Sequence, residues 1–403
     1  MVLADTWSEL ARTREMPPID HDRMRKYRSG RLQAELERLD ADMVLIHNPV
    51  SLRYGFDYRT YQLFQSRTPQ VYVFLAQDGP TIGHALLGDG YADIDEVREP
   101  RALCYFDGGE IMDEASDKLA DDVVRYLDEI GATRRRVALE YVNPSVTQAL
   151  EARGVEVIDG MVVTERARLI KSEDELNCIR WAVAVAEHGI TKLEEAIAPG
   201  VSELQLWGLL NYANLANNGD WHDGRMLCSG PRTNPWLQEA SPRLLVAGDL
   251  VAFDTDMVGP NGYFADISRT MFCGPGEPSR RQKELYHLAV AEIEHNLTLV
   301  RPGMSLLDFQ AQSYQKAEEF HEHDYPCIVH AVGMCDEFPR IDPLHRGPNR
   351  YDDTLQAGMV LCIESYMGAS GETDGVKLEQ QVVVTDDGYE MLSSYPLDER
   401  LMG

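Results

Sequence analysis

Short apolar runs alternate with charged, helix-spaced stretches through residues 21–165 of the chain. Met43-Val44-Leu45-Ile46 and Val71-Tyr72-Val73-Phe74-Leu75 are apolar runs bounded by polar residues, the pattern of buried strands. The second leads into the turn formers Gln77-Asp78-Gly79-Pro80. Arg23 to Leu39 spaces its apolar residues at near-helical intervals among abundant charge, and Asp117 to Ile130 reads as a helix ended by Gly131. Val137-Ala138-Leu139-Glu140 and Val155-Glu156-Val157-Ile158 read as later strands. The alternation predicts an α/β domain over residues 1–165.

A second domain is predicted over residues 166–403, where the pattern changes. Ser172 is a natural N-cap with Glu175 at the third helical position, the spacing of a capping box, ahead of a helix running to about Ala196 and stopped by Pro199-Gly200. Ser202 caps another helix to about Asn218. Strands dominate from Leu250 to Cys273, and helices are predicted over about 278–300 and 305–322. Strand-like runs at Met359 to Met367 and Val376 to Thr385 follow, the latter closed by a tight turn at Asp386-Asp387-Gly388.

Composition narrows the function classes. The chain has 403 residues, 44% hydrophobic, with 38 Lys and Arg against 67 Asp and Glu, a formal charge of −29. That balance speaks against a nucleic-acid or anionic-membrane partner, which needs a basic patch. It suits a cationic substrate or a salty environment. No apolar run approaches the roughly 18 residues of a membrane span, and the polar stretch from Met1 to Asp20, with Glu9, Arg12, Arg14 and Glu15, does not read as a signal peptide. Seven scattered cysteines with no CxxC pair read as reduced thiols, so a cytoplasmic location is expected.

The chemistry concentrates in Phe253-Asp254-Thr255-Asp256 and Asp266-Ile267-Ser268-Arg269-Thr270, two strand-like segments around Gly259-Pro260-Asn261-Gly262. As a β-hairpin this places Asp254 and Asp256 on one strand face, with Asp254 roughly opposite Asp266. Three converging carboxylates repel one another unless a cation joins them; solvated hairpin acids are the other reading. His330 ends the apolar run Cys327-Ile328-Val329. Glu364 and Glu379 each sit inside a strand-like run, where an unpaired carboxylate is costly to bury.

The order Asp254, Asp266, His330, Glu364, Glu379, with Leu169-Ile170-Lys171-Ser172-Glu173-Asp174-Glu175, Gly248-Asp249-Leu250-Val251 and Gly358-Met359-Val360 around it, resembles the pita-bread metallopeptidase family of methionine aminopeptidase, aminopeptidase P, prolidase and creatinase. The resemblance implies a creatinase- and prolidase-like α/β N-terminal domain and a pita-bread catalytic domain. It also implies those five residues as ligands of two divalent transition-metal ions, and a homodimer in which one subunit's N-terminal domain helps to close the other's site. The donor set is mostly hard and compatible with iron, the foremost expectation, or manganese, cobalt, nickel or zinc.

The departures from the peptidases point to a different reaction. Asp254 to Asp266 is a spacing of twelve where the peptidases usually have eleven, and the insertion brings Asp256. Ser229 to Glu239 carries no His where the peptidases have one, and Asp336-Glu337-Phe338-Pro339 puts an acid where they have a second imidazole. These strings, with Gly230-Pro231-Arg232-Thr233-Asn234-Pro235-Trp236, resemble the dimethylsulfoniopropionate lyases of the DddP type. That resemblance implies Asp256 as a sixth ligand, Asp336 as the catalytic base, and Tyr325 beside the reaction. Lys377-Leu378-Glu379 fits the same branch, whereas Phe64 stands where the branch is associated with Trp. It implies a small zwitterionic substrate, eliminated without the imidazoles that an amine leaving group requires; Tyr325, Trp236 and Phe64 are candidates to hold its sulfonium through cation–π attraction, ordinary packing being the other reading for Trp236 and Phe64. An Xaa-Pro dipeptidase is the rival reading; it requires imidazoles at the metals, and of the candidates His222, His321 and His323 none fits the family motif.

Overall fold

The structure is a computed structural model and describes residues 10, 12–86 and 92–403; most of the polar N-terminal stretch discussed above lies outside them. The chain forms two compact units, Asp20–Arg168 and Leu169–Gly403, the latter joined by the described residues ahead of Asp20. Among the described residues no helix is long and apolar enough to cross a membrane.

The first unit is built on a mixed sheet of six strands, β1 (Met43–Ile46), β2 (Tyr72–Ala76), β3 (Ile82–His84), β4 (Glu96–Arg98), β5 (Arg136–Leu139) and β6 (Glu156–Asp159), in the order β4-β3-β2-β1-β5-β6. β1 is antiparallel to β2 and parallel to β5. A central strand covered on both faces is apolar throughout, which is why Met43 to Ile46 reads as a continuous run. One face meets the helix Met112–Glu129 through Leu119, Val123, Tyr126 and Leu127. That helix starts before the predicted Asp117.

The second unit contains a three-stranded antiparallel sheet of β7 (Leu227–Ser229), β8 (Leu250–Phe253) and β11 (Arg269–Phe272), and a two-stranded ladder of β9 (Met257–Val258) and β10 (Phe264–Ala265). A five-stranded antiparallel sheet has the order β13 (Asp336–Ile341), β12 (Val329–Val332), β14 (Val360–Gly368), β15 (Gly375–Val384) and β16 (Tyr389–Met391). The helix Arg280–Leu297 packs Leu285, Tyr286, Ala289 and Ile293 into the core under this sheet. Two helices, Glu173–Glu195 and Glu203–Ala216, begin with complete capping boxes at Ser172 and Ser202.

Two expectations need correction. The helix predicted over 305–322 covers only Leu306–Gln312. Ser313 turns extended and gives its hydroxyl to the Gln310 carbonyl, while Asn296 captures the Tyr314 amide, so the i→i−4 ladder loses its next partners. The hairpin around Asn261 is not continuous either. β8 ends at Phe253 and pairing resumes at Met257, leaving residues 254–256 outside the ladder with Asp256 at φ 37. Asp254 and Asp256 therefore do not share a regular strand face. Thr255 closes the gap instead, its hydroxyl donating to the Ala265 carbonyl and accepting from the Ile267 amide.

Glu175 joins the entry helix to the strands. One carboxylate oxygen accepts from the Ser172 amide at 2.8 Å and the other from the Tyr263 hydroxyl at 2.9 Å. Glu175→Ala removes the reciprocal half of the capping box and the hydrogen bond from the Tyr263 hydroxyl. It is expected to lower unfolding free energy by about 1–3 kcal/mol, read from the denaturant midpoint at constant m value.

Candidate metal centre

Sheet register gathers the acids. On β14 and β15, Glu364 lies opposite Glu379, Cys362 opposite Gln381 and Tyr366 opposite Lys377; on β12, His330 lies opposite Cys362. Directly opposed residues project from the same face, so His330, Cys362, Glu364, Lys377 and Glu379 point to one side of the sheet. A bulge between His330 and Ala331 re-aims the strand there. The Phe264 amide donates to the Gly333 carbonyl at 2.7 Å, which sets the β10 end beside this hairpin and brings in Asp266.

Donor atoms of Asp254, Asp256 and Asp266, of Asp254, Glu364 and Glu379, and of Asp266, His330, Cys362 and Glu379 lie within 4.8 Å of one another in each group. All six residues expected as ligands therefore converge. Asp254 Oδ1, Asp266 Oδ1 and Glu379 Oε1 are buried without a hydrogen-bond partner, a costly state that a bound cation relieves. One imidazole and several carboxylates form a donor set that fits a divalent metal ion.

The electrostatics agree. Burial and the surrounding acids raise Asp256, Asp266 and Glu379 well above the carboxylate range. Burial pushes Asp254 the same way, but the Lys377 ammonium outweighs it and holds this carboxyl down at about 2. Burial would discharge His330, yet Asp336 and Glu364 lift it to about 9.

Lys377 is the residue whose role the sequence reading missed. It is fully buried, and its Nζ donates to Asp254 Oδ2 at 3.0 Å, Glu364 Oε2 at 2.5 Å and Ser268 Oγ at 2.6 Å. The signal was present: a lysine two positions before Glu379 in an apolar strand must share the glutamate's face. The same ammonium sits 4.7 Å from the Tyr325 ring centroid and 5.9 Å from that of Trp236. Both aromatic candidates thus border the cluster, and the Trp236 Nε1 has no hydrogen-bond partner. Phe64 lies in the other unit, edge-on to Tyr61 and Phe106 at 6.1 Å each.

Asp336 begins β13, with its Oδ1 3.5 Å from His330 Nδ1 and its side chain 68% exposed. Desolvation at this crowded mouth, then Asp254 and Glu364, raises its carboxyl despite the opposing His330. Its neighbour Glu337 fixes the segment through a buried ion pair to Lys171 at 2.8 Å and an accepted hydrogen bond from the Met334 amide. The other imidazoles are engaged elsewhere. His222 Nδ1 meets the Thr255 carbonyl, and burial lowers that ring to about 4. His323 bonds Asn234, and His321 stacks on His345.

These shifts predict a pH signature for metal-stripped protein. His330 is raised from 6.5 to about 9, so its contribution to stability is full below pH 6.5 and is lost as pH rises through 9. The raised carboxyls share that sign, and Asp254, depressed to about 2, acts only in strong acid. The Tm of stripped protein should fall between pH 6.5 and 9. The slope should be smaller in His330→Gln by the contribution of that one group, and absent from metal-loaded protein, whose ligands are already deprotonated. A flat profile for the stripped wild type contradicts this electrostatic account.

The chain is similar to several known proteins. A dimethylsulfoniopropionate lyase, DddP, from Roseovarius nubinhibens is 35% identical over 395 residues, covering 95% of this chain and 89% of the relative. The protein of that name from Roseobacter denitrificans is 34% identical, covering 94% of this chain and 88% of the relative. An Xaa-Pro dipeptidase from Pyrococcus furiosus is 28% identical over 238 residues, covering 57% and 65%. In solved structures, an Xaa-Pro dipeptidase from Bacillus anthracis superposes with a TM-score of 0.74 at 21% identity, covering 93% of this chain and 99% of that one. The shared fold is therefore the prolidase fold. Residues 177–386, which include every residue of the acid cluster, match the model of metallopeptidase family M24, and the chain belongs to that family.

Proposed function

We propose that this protein is a metal-dependent carbon–sulfur lyase that cleaves dimethylsulfoniopropionate to dimethyl sulfide and acrylate. Whole-length likeness to two dimethylsulfoniopropionate lyases supports the reaction. The observation in the site that carries it is Asp336, an exposed carboxylate 3.5 Å from His330, where peptide hydrolysis needs an imidazole.

The six residues Asp254, Asp256, Asp266, His330, Glu364 and Glu379 hold two divalent ions. The five carboxylates among them face one ammonium, Lys377. That leaves a net negative charge, which two such ions meet. The ions supply positive charge to the substrate carboxylate and to negative charge developing beside it. Asp336 takes the proton from the carbon next to the carboxylate. The electron pair forms the double bond of acrylate, the carbon–sulfur bond breaks, and sulfur leaves as neutral dimethyl sulfide without requiring a proton. Tyr325 and Trp236 border the substrate cation, each ring contributing about 0.5–2 kcal/mol depending on desolvation. Phe64 completes the enclosure from the second subunit of a homodimer. Iron is the metal this reading favours.

Purified, metal-loaded protein should release dimethyl sulfide into the headspace from dimethylsulfoniopropionate and leave Xaa-Pro dipeptides intact. Asp336→Asn should keep its metal and lower the rate by about 10²–10⁴. Dipeptide cleavage without dimethyl sulfide, or an Asp336→Asn protein with most of its activity, overturns the mechanism. Phe64→Ala should raise KM at constant metal content; an unchanged KM returns Phe64 to ordinary packing.

A further inference from the structure

Cys362 faces the same centre, and its role is not accounted for by the six ligands above. It lies opposite His330 of β12 and Gln381 of β15 and two residues before Glu364. Its side chain therefore leaves the sheet on the metal-ligand face. Its Sγ is within 4.8 Å of donor atoms of Asp266, His330 and Glu379. The residue is fully buried, and the hydrogen bond its thiol makes, to the Asp266 carbonyl, is long at 3.9 Å. Two of its three neighbours, Asp266 and Glu379, each present a buried oxygen without a partner. Cys327 is placed differently. It shares its surroundings with His330 and Glu364, whose carboxylate oxygens are already engaged by Lys377 and His330.

We propose that Cys362 is a sulfur ligand of the metal centre. One ion is then held by thiolate, imidazole and the carboxylates of Asp266 and Glu379. Such a mixed set selects zinc, cobalt or iron over manganese or magnesium, because a soft sulfur donor favours the softer ions. Binding replaces the S–H bond by a sulfur–metal bond, the proton passes to water, and the metal keeps its oxidation state. The inference rests on the metal reading and not on the lyase reaction.

The test is absorption spectroscopy of stripped, full-length protein titrated with Co²⁺, whose thiolate complexes show an intense near-ultraviolet charge-transfer band. Wild type should show the band. Cys362→Ser and Cys362→Ala should lose it when compared at equal bound cobalt, and Cys327→Ser should keep it. Cys362→Ser should also shift preference from zinc toward manganese by at least about tenfold in competition. Cobalt bound by wild type without the band, or a band that survives Cys362→Ser, overturns the proposal. Should neither Cys362 variant fold, X-ray absorption of the zinc-loaded protein decides: a sulfur neighbour in both wild type and Cys327→Ser supports it, and its absence from either overturns it. Protein that shows the band with cobalt but releases no dimethyl sulfide when loaded with iron refutes the lyase reading and leaves the sulfur ligand standing. Dimethyl sulfide released by protein without the band does the reverse.

Discussion

The structure depends on the confinement of like charge. Asp254, Asp256, Asp266, Glu364 and Glu379 crowd into one region around a single buried ammonium. In water such a gathering is weakly unfavourable, but in a desolvated interior each carboxylate loses hydration and feels its neighbours at low dielectric. The protein meets part of that demand itself through Lys377 and Ser268. Three oxygens remain buried without partners, and three carboxyls are driven toward protonation. A divalent cation is the simplest agent that satisfies both.

The surrounding fold is arranged to hold that density in place. The β12–β14–β15 ladder fixes His330, Glu364 and Glu379 by register alone, so their spacing does not depend on loop conformation. The helix Arg280–Leu297 seals the apolar core of the unit. Asp256 is held otherwise: the ladder is interrupted at residues 254–256, and its left-handed backbone turns it out of the strand. The extra carboxylate is thus tied to a break in regular structure, and Thr255 restores the missing backbone partners.

On the proposed lyase reading, the region near His330 sets the chemistry. Asp336 stands at the mouth on a segment pinned by the buried Lys171–Glu337 pair. A carboxylate at the mouth is suited to removing a proton from carbon, whereas release of an amine calls for a proton donor. Elimination of a sulfide needs only the first. The aromatic border formed by Tyr325 and Trp236 already faces one cation, the Lys377 ammonium, which shows that this wall tolerates positive charge.

The sequence by itself determined the elements and the order of donors. Apolar runs such as Met43 to Ile46 became strands, Ser172 and Ser202 became helix caps, and the acids that converge were those embedded in apolar stretches, because burying a carboxylate is costly enough to leave a mark in sequence. The family was legible for the same reason. Tertiary structure alone decided how the donors meet. The gap in the ladder at 254–256 and the early end of the helix at Gln312 come from side-chain hydrogen bonds that periodicity does not record, while the capture of Lys377 by Asp254 and the approach of Cys362 to His330 join segments far apart in the chain. Local periodicity records which face a residue takes. It does not record which distant side chain will meet it there, since that depends on strand register and packing between elements.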